Sequence, residues 1–228
     1  MKTQIAPSLM CMNLMKMSEQ LAFLEPKIHF HHVDIMDGHF VPNLTLSPYF
    51  IQQVSPNTKV PIDAHLMVEV PANFIKSCAD AGADYISMHV ETLSAKGFRN
   101  IKMIRDLGKK PGLVFNPETT IDSAKHYINQ ADKITIMTVD PGFAAQPFIV
   151  EMLEKIEELV DFRKKHGLDF LIEIDGSCNN NTYECMIKAG AQVLVMGSTG
   201  LFLPGVPLDK AWDMMVADLE EAEKAAGL

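Results

Sequence analysis

Short β-branched or apolar runs recur along the chain, and most stretches between them carry apolar residues at three- and four-residue steps. Eight runs read as strands: residues 4–8, 28–35, 61–66, 84–90, 111–116, 133–139, 170–175 and 192–196. Their spacing is that of βα units, in which parallel neighbours are joined by a crossover rather than a hairpin. Residues 14–24, 71–81, 98–107, 149–166 and 182–189 read as amphipathic helices, and a longer one over 209–226 closes the chain. Two helices run into glycine, at Gly82 and Gly190, each followed by Ala and a strand. That is the expected left-handed exit from a helix. Alternating β and α throughout predicts a parallel sheet. Eight strands with no segment left over predict an α/β fold, a closed TIM (β/α)8 barrel forming one domain over residues 1–228.

Composition narrows the classes of partner. The formal net charge is −9 and no basic block occurs. Nucleic acid and anionic membrane surfaces are therefore not expected to bind. No apolar run approaches a membrane span. Residues 1–8 lack the apolar stretch of a secretory signal and lead into a strand. Cys11, Cys78, Cys178 and Cys185 lie far apart, which fits free thiols in the cytoplasm better than a disulfide framework. An acidic chain can still bind a small anion, provided backbone amides or a metal meet its charge locally.

In such a barrel, chemistry collects at the carboxyl ends of the strands. The second strand ends in His31-His32-Val33-Asp34, and the two-residue spacing puts His32 and Asp34 on one face. The third ends in Asp63-Ala64-His65 and the seventh in Glu173-Ile174-Asp175. Polar groups at three strand ends break the apolar rule for buried parallel strands. His32, Asp34, His65 and Asp175 are expected to converge. Two imidazoles and two carboxylates suit Zn²⁺, with Mn²⁺ or Fe²⁺ as alternatives. Asp63 reads as structural, His29 and His31 as entrance or outer-face positions, and Asp37 as a brace for the following loop.

Three further loops are built of small residues. Residues 140–148 contain Gly142, Phe143, Ala144 and Ala145; the seventh strand is followed by Gly176 and Ser177; the eighth by Gly197, Ser198 and Thr199. None of the three carries Lys or Arg. Their amides can approach an anion closely, and this barrel type commonly cradles phosphate after strands seven and eight. Residues 140–148 are also the best candidate for a lid.

The ordered motifs Ala6-Pro7-Ser8, His32-Val33-Asp34-Ile35-Met36-Asp37-Gly38, Phe40-Val41-Pro42-Asn43, Asp63-Ala64-His65-Leu66-Met67-Val68, Val139-Asp140-Pro141-Gly142-Phe143 and Glu173-Ile174-Asp175-Gly176 resemble the ribulose-phosphate 3-epimerase family. The resemblance implies a ribulose-phosphate-binding barrel and one divalent ion per subunit on His32, Asp34, His65 and Asp175. That ion is usually Zn²⁺, with Mn²⁺, Fe²⁺ or Co²⁺ as alternatives. It implies Asp34 and Asp175 as the catalytic proton-transfer pair. Inverting a carbon beside a carbonyl does need two acid/base groups, one on each face of the substrate. Ser8 and His65 are implied to touch the sugar. Residues 142–145, Gly176-Ser177 and the 197–199 turn are implied to hold the phosphate, and Met36, Met67 and Met137 to line the site. A phosphorylated ketose is the implied partner, acted on by a homo-oligomer, dimer or hexamer. Met10-Cys11-Met12-Asn13, Ala144-Ala145, Ser177-Cys178 and Ser198-Thr199-Gly200 depart from the usual family pattern and look like the allulose-6-phosphate branch. The expected reaction is therefore 3-epimerisation between D-allulose 6-phosphate and D-fructose 6-phosphate. The alternative is D-ribulose 5-phosphate to D-xylulose 5-phosphate. A metal-free decarboxylase of the orotidine-phosphate type is disfavoured, because the third strand has no Asp-x-Lys-x-x-Asp. A degenerate barrel that only senses sugar phosphates is disfavoured by the four filled ligand positions.

Overall fold

The computed structural model describes residues 2–228. Its strands are β1 (Gln4–Pro7), β2 (His31–Met36), β3 (Ile62–Met67), β4 (Tyr85–His89), β5 (Lys110–Phe115), β6 (Lys133–Met137), β7 (Leu171–Asp175) and β8 (Val193–Met196). All ladders are parallel, in the order β1-β8-β7-β6-β5-β4-β3-β2. The ring closes between β1 and β2 through a parallel bridge of Ser8 with His32. The amides of His29 and Phe30 also donate to the Ile5 carbonyl, at 3.0 and 3.4 Å. The α/β TIM barrel expected from the alternation is thus the observed fold.

The helices are α1 (Met17–Leu24), α2 (Pro48–Val54), α3 (Ala72–Ala81), α4 (Gly97–Asp106), α5 (Met152–His166), α6 (Tyr183–Ala189) and α7 (Leu208–Ala225). Every residue of β2 and β3 is buried, as parallel strands covered by helices require. Val33, Ile35, Ala64 and Leu66 join the core beneath the helices. The alternate positions, His32, Asp34, Asp63 and His65, therefore face the barrel interior. An apolar floor of Ala6, Phe30, Tyr85, Val193 and Val195 fills another part of the barrel.

Three details differ from the sequence reading. Residues 14–16 form a 3₁₀ turn rather than the first turn of α1, because the Asn13 side chain accepts from the Met15 amide and starts a tighter turn. Helix α2 was not expected: it buries only Ile51 and Val54, a fainter apolar stripe than the four buried residues of the equally short α6, although Pro48 at its first turn is a start signal. The β5–β6 crossover holds two 3₁₀ turns, Ile121–Ala124 and Ile128–Gln130.

Gly82 and Gly190 end α3 and α6 with φ of 107° and 115°, the left-handed exit expected from sequence. A Cβ at Gly82 would stand 2.6 Å from Ser55 Cβ, whereas Gly108, at φ +71°, has open space around it. Gly108→Ala should therefore lose about 1 kcal/mol, the left-handed penalty alone. Gly82→Ala should lose clearly more. Urea unfolding of the two variants checks this, and equal losses would show that Ser55 moves aside freely.

Candidate active site

Strands β2, β3 and β7 deliver the four expected ligands to one point. His32 Nε2 lies 3.1 Å from His65 Nδ1, 3.3 Å from Asp34 Oδ1 and 3.5 Å from Asp175 Oδ2. His65 Nδ1 lies 3.3 Å from Asp34 Oδ1 and 3.4 Å from Asp175 Oδ2. Four ligands about 2.1 Å from a tetrahedral cation stand about 3.4 Å from one another, so the spacing fits a divalent ion. The chemistry fits as well. Two imidazole nitrogens this close can share only one proton, and ionised carboxylates only accept. One cation satisfies all four atoms.

The electrostatics point the same way. Burial opposes the charge on Asp34 and Asp175, but His32 and His65 outweigh it and hold both carboxyls below the usual carboxylate range. Burial likewise opposes charging the imidazoles, yet the two aspartates outweigh it. His32 is driven well above its ordinary value and His65 is raised. The cluster attracts positive charge, as protons or as a metal.

Neighbouring groups hold the ligands from behind. Ser8 Oγ donates to Asp34 Oδ2 at 2.6 Å, leaving Oδ1 for the cluster. His65 Nε2 is 2.8 Å from His89 Nε2. His32 Nδ1 lies 3.1 Å from Asp63 Oδ2, too poorly aligned for a hydrogen bond but the nearest charge to that atom. Asp63 accepts hydrogen bonds from Ser87 and Lys133 on other strands. His31 packs outside the barrel against Thr58, and His29 Nδ1 accepts from the Ile5 amide. Asp37 braces its loop by accepting from the His39, Phe40 and Glu69 amides.

Above the cluster a cleft opens to solvent. Its walls include Ser8, Met36, Met67, Met137, residues 142–145, Asp175, Gly176, Ser177 and residues 197–199, all expected from sequence. His32 and His65 lie beneath the floor. The β6–α5 loop is tied at both sides: Asn43 Nδ2 donates to the Gly142 carbonyl at 2.7 Å, and Ser177 Oγ donates to the Gln146 carbonyl. Ala145 and Ser177 adopt φ of +61° and +48° without being glycine, so both carry backbone strain. Met10, Cys11, Gln146 and Cys178 also line the cleft and were not singled out from sequence. Only the departure of Met10-Cys11 and Ser177-Cys178 from the family pattern marked them. Burial first, then Asp34, pushes the Cys11 thiol up to about 11. It stays protonated and is no nucleophile at neutral pH.

The profile of the Ribulose-phosphate 3 epimerase family matches residues 4–202. The chain belongs to this family. Relatives named ribulose-phosphate 3-epimerase include one from Bacillus subtilis, 39% identical over 86% of this chain and 90% of its own length. Another, from Synechocystis, is 42% identical over 85% of each chain. Among solved structures, KGPDC from Streptococcus mutans superposes with a TM-score of 0.70 at 11% identity, covering 97% of this epimerase-family chain and 99% of its own. The 3-hexulose-6-phosphate synthase from Salmonella typhimurium gives 0.67 at 13% identity over 96% and 100%. At such identities these two structures speak for the fold alone.

His89 sets one pH dependence. Burial foremost, with His65 also contributing against the opposing pull of Glu91, lowers its pKa to about 4. The unfolded chain then binds the proton more readily, so stability is complete above about 6.5 and falls as pH drops toward 4. The loss should be on the order of 3 kcal/mol. Denaturant unfolding in chelator, from pH 7 to 4, should show His89→Asn losing less stability than the parent, the difference approaching this contribution because His32 and His65 act alike in both. Parallel curves would remove His89 as its source.

Proposed function

We propose that this chain is a metal-dependent 3-epimerase of ketose phosphates, interconverting D-ribulose 5-phosphate and D-xylulose 5-phosphate. The observation that carries the reading is the convergence of His32, Asp34, His65 and Asp175 beneath a cleft walled by small-residue loops. The names of its curated relatives support ribulose 5-phosphate as the substrate.

Asp34 on β2 and Asp175 on β7 are separated by β1 and β8 around the ring. They reach the cleft from different sides, so one carboxylate can take the C3 proton and the other return one to the opposite face. Reversal of the roles gives the reverse reaction. The Ser8 hydroxyl orients Asp34 for this. Met36, Met67 and Met137 form soft walls that keep water from the C3 carbanion. The amides of 142–145, Gly176-Ser177 and 197–199 hold the phosphate, aided by turns that only small residues allow. Gly176 is irreplaceable in this respect, since a Cβ there would stand 2.7 Å from Val139 Cγ2. A divalent cation on the four ligands, Zn²⁺ first on this donor set, supplies positive charge for the enediolate that forms as the C3 proton leaves. The same reading takes the chain as cytoplasmic, in keeping with its four free cysteines, and as homo-oligomeric, in keeping with its family.

A second reading, D-allulose 6-phosphate to D-fructose 6-phosphate, rests on a specific observation. Cys11, Ala144, Ala145, Ser177, Cys178 and Thr199, at or within the departures from the family pattern, all line the same cleft. Parallel kcat/KM measurements on the two ketose phosphates decide between the readings. A higher value for ribulose 5-phosphate supports the first, and a higher value for allulose 6-phosphate the second.

Asp175→Asn should lower kcat on the preferred sugar at least about 100-fold while the fold persists. In D₂O the parent should wash deuterium into C3 of both epimers. Near-normal turnover by the variant would take Asp175 out of the proton transfer.

A further inference from the structure

The barrel's middle carries charges that the proton transfers do not use. Lys133, Asp63 and Glu173 are completely buried. Lys133 Nζ stands 2.5 Å from Asp63 Oδ2 and 2.6 Å from Glu173 Oε1. Ser87 Oγ donates to Asp63 Oδ1 at 2.6 Å, and Thr135 Oγ1 to Glu173 Oε1 at 2.8 Å. The neighbouring strand β5 makes room for Ser87 with its register partner Gly112, where a Cβ would fall 2.1 Å from Ser87 Oγ. Stability is a weak reason for such a cluster, because apolar residues of similar volume often serve better than buried ion pairs.

Its position suggests another reason. Asp63 Oδ2 is 3.1 Å from His32 Nδ1, on the far side of the ring from the nitrogen that faces Asp34, His65 and Asp175. A carboxylate there favours the proton on Nδ1 and leaves the Nε2 lone pair for a cation. His32, Asp63 and Glu173 also stand close enough together to hold a metal themselves. The ammonium of Lys133 already bridges the two carboxylates of that trio, so an incoming metal is directed to the upper cluster.

We propose that Asp63, fixed by Lys133 and Ser87, is a positioning residue for the metal centre, acting through the ring of His32. The inference rests on the reading that the upper cluster binds a divalent ion. Carboxylates behind metal-binding imidazoles commonly raise metal affinity 10- to 100-fold.

Zn²⁺ titration of the full chain against a chromophoric chelator tests this without reference to turnover. The parent should bind one equivalent, and Asp63→Asn should bind it roughly 10- to 100-fold more weakly. Glu173→Gln is the contrast, because its nearest oxygen lies 3.7 Å from His32 Nδ1. It should lower the melting temperature yet weaken Zn²⁺ by less than that range. A purely structural role for Asp63 would lower the melting temperature of Asp63→Asn and leave its Zn²⁺ affinity at the parent's value; that result overturns the proposal while the metal site stands. A parent that binds no Zn²⁺, Mn²⁺, Fe²⁺ or Co²⁺ overturns the metal reading and this inference with it. If Asp63→Asn does not fold, Ser87→Ala keeps the carboxylate but frees one of its oxygens. It should weaken Zn²⁺ several-fold, and an unchanged affinity overturns the proposal.

Discussion

Burying like charges in a closed barrel is the constraint that organises this molecule. Asp34, Asp63, Glu173 and Asp175 bring four carboxylates into or onto the interior, while Lys133 is the one lysine or arginine bonded among them in the described residues. One ammonium offsets one carboxylate and bridges a second. The excess negative charge is concentrated at the upper cluster, where Asp34 and Asp175 face two imidazoles. In a poorly solvated interior such an excess must be matched locally or titrated away. A divalent cation at that point matches it, and the two imidazoles then serve as neutral ligands.

The layering follows from this constraint. The floor around Phe30, Tyr85 and Val193 is largely apolar, and the Tyr85 hydroxyl accepts from Lys110. Above it, the Lys133 cluster is bonded among protein groups, with Glu173 Oε2 left without a partner. Higher still, Asp34 and Asp175 line the cleft above the buried His32 and His65. The loop side of the cleft is built differently. It has no lysine or arginine among its lining residues, and its loops are held by Asn43 and Ser177, with Ala145 and Ser177 kept in left-handed conformations. Strain of this kind persists where surrounding contacts over-determine the backbone, and it clusters at binding sites.

Much of this was legible in the sequence because the decisive signals are local. A two-residue period places His32 and Asp34 on one face of β2, and strand order alone brings His65 and Asp175 to the same end of the barrel. The left-handed exits at Gly82 and Gly190 are likewise local. The Lys133 cluster was not legible, because it depends on the register of β3, β4, β6 and β7 and on the length of one side chain crossing the barrel. Lys133 read from sequence is only the first residue of a strand. Helix α2 was not legible because it buries only Ile51 and Val54, whereas α6, of the same length, buries four residues. The cleft shape around Cys11 and Cys178 was likewise not legible, because residue types do not reveal a shape.

The proposed function puts a divalent cation at the meeting point of β2, β3 and β7, where four donor atoms converge. Anomalous X-ray diffraction at the zinc edge, from crystals grown with stoichiometric Zn²⁺, tests this most directly. A single strong peak bonded to His32 Nε2, His65 Nδ1 and one oxygen each of Asp34 and Asp175 is the predicted result. A map without a peak there, or with its peak among Asp63, Glu173 and His32 Nδ1, would contradict it.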